Sequence, residues 1–314
     1  MHTSKSAGPT SPASPAGPEA AGAGPSAVRV WWLAARPATL AASVAPVLAG
    51  TAVAVHDGRV RTLPGLGALV VAVAIQVGTN YANDYSDFVR GADRRRVGPL
   101  RAASSGVVRP GHVRCAAVAA FGVAAVVGLA VSVVTSPALA LLGALAVAAG
   151  WLYTGGPRPY GYAGLGELFV FVFFGLLATA GTAYVHELRV PPAAWAAGCA
   201  TGAVACAILA LNNLRDREGD AQAGKRTLAV RLGAGPTRAM IAAFLAVPLA
   251  SPLVAIAAGW APAWTALTLL SAPLAFAAVR ASASTTPPVL VAGLKRAAEM
   301  ELCWALLWTL GLLL

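Results

Sequence analysis

Acidic side chains are scarce in this chain. Only twelve Asp and Glu occur in 314 residues, and charged residues of all kinds make up 11 %, where a soluble domain carries roughly a quarter. That shortage excludes an ordinary water-soluble globule. Cysteine is rare too: Cys115, Cys199, Cys206 and Cys303 lie in apolar stretches and form no CxxC pair, so neither a disulfide framework nor a zinc site is encoded. His2, His56, His112 and His186 are scattered and offer no metal or haem cluster. The apolar residues do not alternate with period two, which argues against a transmembrane barrel.

What the chain has instead is apolar surface in long runs. It is 58 % hydrophobic with a mean hydropathy of +0.70. A bilayer core of about 30 Å needs roughly 20 apolar residues per helix, and runs such as Cys115 to Val134, Leu168 to Tyr184 and Met240 to Ala258 meet that length. With no water inside the bilayer to satisfy backbone groups, such runs are helices. The fold class expected is all-α, a polytopic membrane bundle of about nine transmembrane helices, near 30–55, 65–88, 112–134, 137–153, 164–184, 192–213, 236–258, 262–281 and 291–313. Pro and Gly punctuate the joins, as at Ser136-Pro137, Gly155-Gly156-Pro157 and Pro191-Pro192. Residues 1–27, almost entirely Ala, Pro, Gly, Ser and Thr, cannot bury enough surface to fold and read as a disordered cytoplasmic tail.

The net charge of +11 would suggest nucleic acid in a soluble protein. Here its distribution points to topology. With nine spans and the N-terminus inside, all but Arg59, Arg61 and Arg189 of the 23 Lys and Arg fall on the cytoplasmic side, as the positive-inside rule requires. No nucleic-acid partner is expected, and the long polar loops face the cytoplasm.

Half of the rare acids sit in two short segments. One is Asn80-Tyr81-Ala82-Asn83-Asp84-Tyr85-Ser86-Asp87, followed by Asp93; the other is Asn212-Asn213-Leu214-Arg215-Asp216-Arg217-Glu218-Gly219-Asp220. Each ends an apolar run. Asn80, Asp84 and Asp87 are spaced i, i+4, i+7, and Asn212, Asp216 and Asp220 i, i+4, i+8, so each set shares one helical stripe. Carboxylates crowded beside a low-dielectric core need a positive partner. Hard oxygen ligands suit Mg²⁺, which combines a few carboxylates with phosphate oxygens and water. Arg94 to Arg96, Arg101, Arg215, Lys225 and Arg226 lie alongside, and metal plus Lys or Arg is the combination that holds and activates a diphosphate. The plainer alternative, acids pairing with nearby arginines at a solvated helix end, applies most readily to Glu218 and Asp93.

Five blocks in order then resemble the UbiA superfamily of intramembrane prenyltransferases, in its 1,4-dihydroxy-2-naphthoate polyprenyltransferase branch. They are Arg36-Pro37-Ala38-Thr39-Leu40; Asn83-Asp84-Tyr85 with Asp87; Arg96-Val97-Gly98-Pro99-Leu100-Arg101 with Ser105-Gly106; Tyr153-Thr154-Gly155-Gly156-Pro157-Arg158-Pro159-Tyr160-Gly161-Tyr162 with Gly164-Leu165-Gly166-Glu167; and the second Asp segment running into Gly224-Lys225-Arg226-Thr227-Leu228. Glu167 stands where many relatives carry Asp. The resemblance implies an intramembrane prenyltransferase domain over 28–314, with a central cavity open to lipid, in the cell membrane. It further implies that polyprenyl diphosphate and 1,4-dihydroxy-2-naphthoate are the substrates. Mg²⁺ would be held by Asp84, Asp87, Asp216 and Asp220, with Asn80 and Asn212 or Asn213 as neutral ligands. Arg101, Lys225 and Arg226 would hold the diphosphate. Tyr153 and Tyr160 would line the ring pocket or serve as interfacial aromatics, and Arg158 would meet the substrate carboxylate. Homogentisate or 4-hydroxybenzoate as the ring acceptor stays open, as does a cation-coupled transporter, which would place acids at the bilayer midplane.

Overall fold

A computed structural model describes residues 26–91 and 101–314. The expected tail up to Pro25, Asp93, Arg94 to Arg96 and the Gly98-Pro99-Leu100 segment lie outside the described residues. Among those described there is helix and no strand. In chain order the main helices are α1 (Ala27–Ala34), α2 (Ala41–His56), α3 (Thr62–Val89), α4 (Pro110–Val134), α5 (Ala138–Leu152), α6 (Gly166–Glu187), α7 (Pro192–Gln222), α8 (Ala234–Ala257), α9 (Ala263–Ser282) and α10 (Pro287–Leu313).

Six of these, α3, α4 and α6 to α9, are long and apolar enough to cross a bilayer, and α1 with α2 makes a seventh if a bent pair counts as one span. The expected continuous helix 30–55 is therefore broken, with a 49° bend. The cause is local. Pro37 has no N–H to continue the ladder, and a residue preceding proline is driven out of the right-handed α region; Arg36 leaves it for a left-handed conformation, with φ of 53°, rather than the usual extended one. The other two expected spans differ in kind: α5 has only 15 residues, and α10 carries Lys295, Arg296, Glu299 and Glu301 within its first 15 residues.

The bundle is organised around α7. Of its apolar window 78 % is buried inside the protein, against 22–33 % for the other five full-length spans. Small residues permit this centrality. Gly198 and Gly202 meet Gly175 of α6 so closely that a Cβ on Gly175 would lie 2.3 Å from Gly202 Cα, the small-residue contact that brings membrane helices together. At this crossing α6 widens into a π-helical stretch, Phe171–Leu177, a distortion frequent at functional sites. On the other flank, α8 contains Pro248 and Pro252. Pro252 lacks the N–H that would bond the Pro248 carbonyl, and the buried Trp304 indole fills that vacancy, Nε1 donating to Pro248 O at 2.7 Å. Trp304 stacks in turn on Trp308.

Large apolar side chains cover the outside, including Val126, Val133, Leu141, Leu270 and Phe276, as a lipid-facing surface demands and a water-facing one forbids. The end of the bundle opposite the acidic motifs is closed by polar contacts. His186 meets Thr51 Oγ1 at 3.2 Å and the Arg61 N–H at 3.2 Å, and Arg189 pairs with Asp57 and Glu187.

Candidate active site

Helix α3 continues to Val89 and α7 to Gln222, so Asp84, Asp87, Asp216 and Asp220 stand on the last turns of helices rather than on loops, and not at mid-helix. All four line one cavity of about 640 Å³. Lys225 stands between the two pairs, its Nζ 2.8 Å from Asp87 Oδ1 and 3.7 Å from Asp220 Oδ1.

The first acidic end is built from distant parts of the chain. Asp84 is 1 % exposed, and its carboxylate accepts from the backbone N–H of Ala102 at 2.7 Å and of Ala103 at 3.2 Å. Asp87 accepts from Arg101 Nη2 at 3.0 Å, Lys225 Nζ at 2.8 Å and the Tyr162 hydroxyl at 2.9 Å. Two cations and a phenol satisfy a charge that burial alone would make very costly. Arg101 Nη1 also donates to Asn83 O, and Thr154 donates to Asn83 Oδ1.

The second end is held more locally. Arg215 Nε and Nη2 clasp Asp216 at 2.7 and 2.6 Å, and Nη2 also reaches Asn212 Oδ1 at 2.7 Å. Asn213 Nδ2 donates to Glu167 Oε1 at 3.1 Å, which gives the expected carboxylate at position 167 a role as an anchor for α7. Asn80 turns its amide nitrogen to Ala35 O and Thr39 Oγ1, at 2.9 and 3.1 Å. All three asparagines line the cavity.

Aromatic rings form the wall where the acidic end gives way to apolar lining. Tyr160 stacks on Phe169 at 4.0 Å, Tyr153 meets Tyr160 edge-on at 5.5 Å, and Phe169 stacks on Phe173. Burial pushes the Tyr160 phenol above its ordinary range; its hydroxyl donates to Ala149 O. Burial, and then the Asp87 carboxylate, do the same to Tyr162, so it stays a neutral donor. Arg90 and Lys225 lie over the Tyr162 ring at 5.4 and 4.9 Å, a cation–π pairing that fixes its plane.

Of the expected site residues, Arg101, Lys225, Tyr153 and Tyr160 are on this cavity and Arg158 and Arg226 are not. Arg226 is exposed. It follows Lys225 in a non-helical segment, where successive side chains point to opposite sides. Its contribution is backbone: its N–H donates to Tyr162 O at 2.9 Å and pins the Lys225 loop. Arg158 is exposed at a turn whose neighbour Pro159 is buried.

Arg215, one of the basic residues expected beside the acids, lines the cavity, as do Arg36, Phe169 and Tyr162, which carried no expected role. Arg36 has a buried Nη2 without a hydrogen-bond partner among the described residues, and a signal for it existed in the Arg-Pro step.

Among the described residues no group of three or more His, Cys, Asp or Glu is gathered tightly enough to hold a metal alone. The donors come instead as two pairs of hard carboxylate oxygens on opposite walls of one cavity. That set fits Mg²⁺, which takes one or two carboxylates per ion and completes its shell with phosphate and water.

Comparison with known proteins bears on the family and the fold. The model of the UbiA prenyltransferase family matches residues 43–295. The 1,4-dihydroxy-2-naphthoate octaprenyltransferase of Mycobacterium tuberculosis (strain ATCC 25618 / H37Rv) is 46 % identical over 248 residues, covering 79 % of this chain and 84 % of that protein. The octaprenyltransferase of the same name from Escherichia coli (strain K12) is 36 % identical over 297 residues, covering 92 % and 96 %. Among solved structures, an apo UbiA homolog from Aeropyrum pernix K1 shares the fold with a TM-score of 0.62 at 15 % identity, over 91 % of this chain and 98 % of that one. A UbiA homolog from Archaeoglobus fulgidus bound to GPP and Mg²⁺ gives 0.59 at 13 % identity, over 89 % and 99 %. The chain belongs to the UbiA prenyltransferase family.

Proposed function

We propose that this protein transfers a polyprenyl group from polyprenyl diphosphate to 1,4-dihydroxy-2-naphthoate, with loss of CO₂ and diphosphate, giving demethylmenaquinone in menaquinone biosynthesis. The observation that carries this reading is the convergence of two acid pairs and Lys225 on one cavity whose remaining wall is aromatic and apolar. The names of the relatives at 36–46 % identity support the ring acceptor.

Asp84 with Asp87 and Asp216 with Asp220 are the residues that would hold Mg²⁺, with Asn80, Asn212 and Asn213 beside them. When bound, the metal draws negative charge from the diphosphate and makes it a better leaving group. Arg101 and Lys225, paired with Asp87 in the free site, are placed to hold the diphosphate oxygens as the C–O bond breaks and its electron pair passes to the leaving group. The faces of Tyr153, Tyr160 and Phe169 stabilise the allylic cation and orient the acceptor ring. The ring carbon bearing the carboxylate attacks, a C–C bond forms, and the C–CO₂⁻ bond returns its electron pair to the ring as CO₂ leaves. Arg36 supplies a guanidinium for an anionic group of the substrates, the part first given to Arg158.

The nine-span topology belongs to the same reading, with α5 and α10 crossing as short and charge-bearing helices within the bundle. So does the orientation. The bias of Lys and Arg toward the acidic end supports a cytoplasmic face for that end, in a protein of the plasma membrane.

The test is product analysis. Membranes containing the protein are given a labelled prenyl diphosphate with 1,4-dihydroxy-2-naphthoate, homogentisate or 4-hydroxybenzoate in turn. Mass spectrometry should find the decarboxylated prenyl-naphthalenediol alone; product from either other acceptor, and none from the naphthoate, would overturn the assignment.

A further inference from the structure

Along α3 the cavity lining changes character. Toward the acids it is polar, at Thr79, Asn80 and Asn83; away from them it is apolar, at Ala72, Val71 and Ala68. Gln76 stands at the boundary, the deepest polar residue that α3 gives to the cavity. It lies eight residues from Asp84, about 12 Å along the helix at 1.5 Å per residue, and is 7 % exposed. A primary amide held that far inside an apolar bundle is costly unless its groups find partners. The metal and diphosphate sites are too distant to use it.

One half of this amide is engaged, and that engagement fixes the other half. Gln76 Nε2 donates to Thr39 Oγ1 at 2.9 Å. Asn80, one turn on, donates from Nδ2 to the same oxygen at 3.1 Å and to Ala35 O at 2.9 Å. Thr39 has a single hydroxyl proton, and it goes to Arg36 O at 2.9 Å, so toward the two amides its oxygen can only accept. Both amides therefore turn nitrogen to Thr39 and keep oxygen for something else. Gln76 Oε1 takes no hydrogen bond among the described residues. Two buried polar atoms of the same cavity also lack a hydrogen-bond partner there, Arg36 Nη2 and Thr79 Oγ1.

An oriented acceptor oxygen and a guanidinium with a nitrogen to spare suit a rigid ligand carrying a hydroxyl donor and a carboxylate. In 1,4-dihydroxy-2-naphthoate the 1-hydroxyl adjoins the carboxylate and can bond to it internally. The 4-hydroxyl has no such neighbour and needs an acceptor from the protein. We infer that Gln76 is a specificity-determining residue for the ring acceptor, its Oε1 accepting the 4-hydroxyl, and that Thr39 is the positioning residue that holds the Gln76 amide in its accepting orientation. The inference rests on the naphthoate reading and sharpens it: a ring without that hydroxyl leaves Gln76 Oε1 unpaired and is selected against.

The experiment reads binding, because removing a ring hydroxyl also changes the reactivity of the ring. Full-length protein in detergent, with Mg²⁺ and inorganic diphosphate present, is titrated with 1,4-dihydroxy-2-naphthoate and with 1-hydroxy-2-naphthoate while the thermal midpoint is followed. The parent should bind the dihydroxy acid at least about fivefold tighter, the effect of one neutral hydrogen bond. Gln76→Met keeps the side-chain volume without the amide; it should abolish that preference by weakening the dihydroxy acid, with 1-hydroxy-2-naphthoate within about twofold of the parent. Thr39→Val should abolish the preference too and Thr39→Ser should keep it. Gln76→Met combined with Thr39→Val should lose no more than either alone, as residues acting through one contact do. The midpoint shift given by Mg²⁺ and diphosphate reports whether each variant is folded.

A parent-like preference in Gln76→Met, or equal weakening of both acids, would overturn the role of Gln76. Loss of the preference in Thr39→Ser, or its retention in Thr39→Val, would overturn the positioning by Thr39. A parent that binds diphosphate but neither naphthoate would overturn the ring acceptor itself, a failure plainly different from a variant that keeps the parent's preference.

Discussion

The two acidic helix ends carry similar residues in similar spacing, yet they are held differently. Asp84 and Asp87 are sealed by partners from far along the chain: the Ala102 and Ala103 amides, Arg101, Tyr162 and Lys225. Asp216 is clasped by its own neighbour Arg215, and Asp220 stands 3.7 Å from Lys225, beyond hydrogen-bond reach. The side chains of Asp216 and Asp220 keep 14 % exposure against 4 % for Asp87. The first end is therefore tied across the chain by Arg101, Tyr162 and Lys225, while Asp220 at the second keeps a longer cation contact and more exposure. Symmetry of motif does not imply symmetry of role in stability.

Asp87→Ala tests this contrast hardest. It should lower turnover at least about a hundredfold and also destabilise by about 3–5 kcal/mol, because the buried cations Arg101 and Lys225 lose the carboxylate that both pair with. Asp220→Ala should lose similar activity with a stability change within about 1 kcal/mol. Denaturation in detergent beside activity in membranes separates the two, and equal destabilisation would break the comparison. Metal removal should act like Asp220→Ala: EDTA-treated membranes lose turnover, Mg²⁺ restores it, and the folded state survives.

Lys225, which touches both ends, should rank next. Lys225→Met removes charge-assisted hydrogen bonds worth about 1.5–3 kcal/mol, a loss of roughly ten- to a hundredfold in kcat/KM. Tyr162→Phe removes one donor to Asp87 and should cost about tenfold. Because the Tyr162 phenol is held above its ordinary value, the protonated donor is present throughout neutral and mildly alkaline pH; the variant and the parent should share the shape of their pH profiles there. The smallest effect belongs to Arg158→Ala, expected within about twofold of the parent because the side chain is exposed and off the cavity.

The acidic stripes were legible because carboxylates are so rare in this chain that their clustering stands out, and helical periodicity then assigns each cluster a face. Lys225 and Arg101 followed from charge complementarity. The bend at Arg36 was encoded in the Arg36-Pro37 step but hidden by the apolar run around it. Arg158 and Arg226 show the converse. Arg226 lies beside Lys225 and Arg158 two residues before Tyr160, both of which enter the cavity, and the sequence contains no signal for which side chain of a non-helical segment turns inward; for Arg226 the hydrogen bond from its N–H to the Tyr162 carbonyl decides it. Helices α5 and α10 were expected as spans from their apolar runs; the structure shows the first to be only 15 residues long and the second to carry four charges in its first 15 residues. Contacts made between helices, such as Gly175 on Gly202 or Asn213 on Glu167, have no trace in local pattern at all.

The indole pair of Trp304 and Trp308 has an optical consequence. The rings are buried, 5.2 Å apart and only 12° from parallel, so their electronic transitions couple into a paired circular-dichroism band that changes when α10 leaves α8 and the Trp304 indole loses the Pro248 carbonyl that fixes its rotamer. That band arises well away from the acidic residues. It provides a built-in optical gauge of folding, readable in every active-site variant without disturbing the chemistry under test.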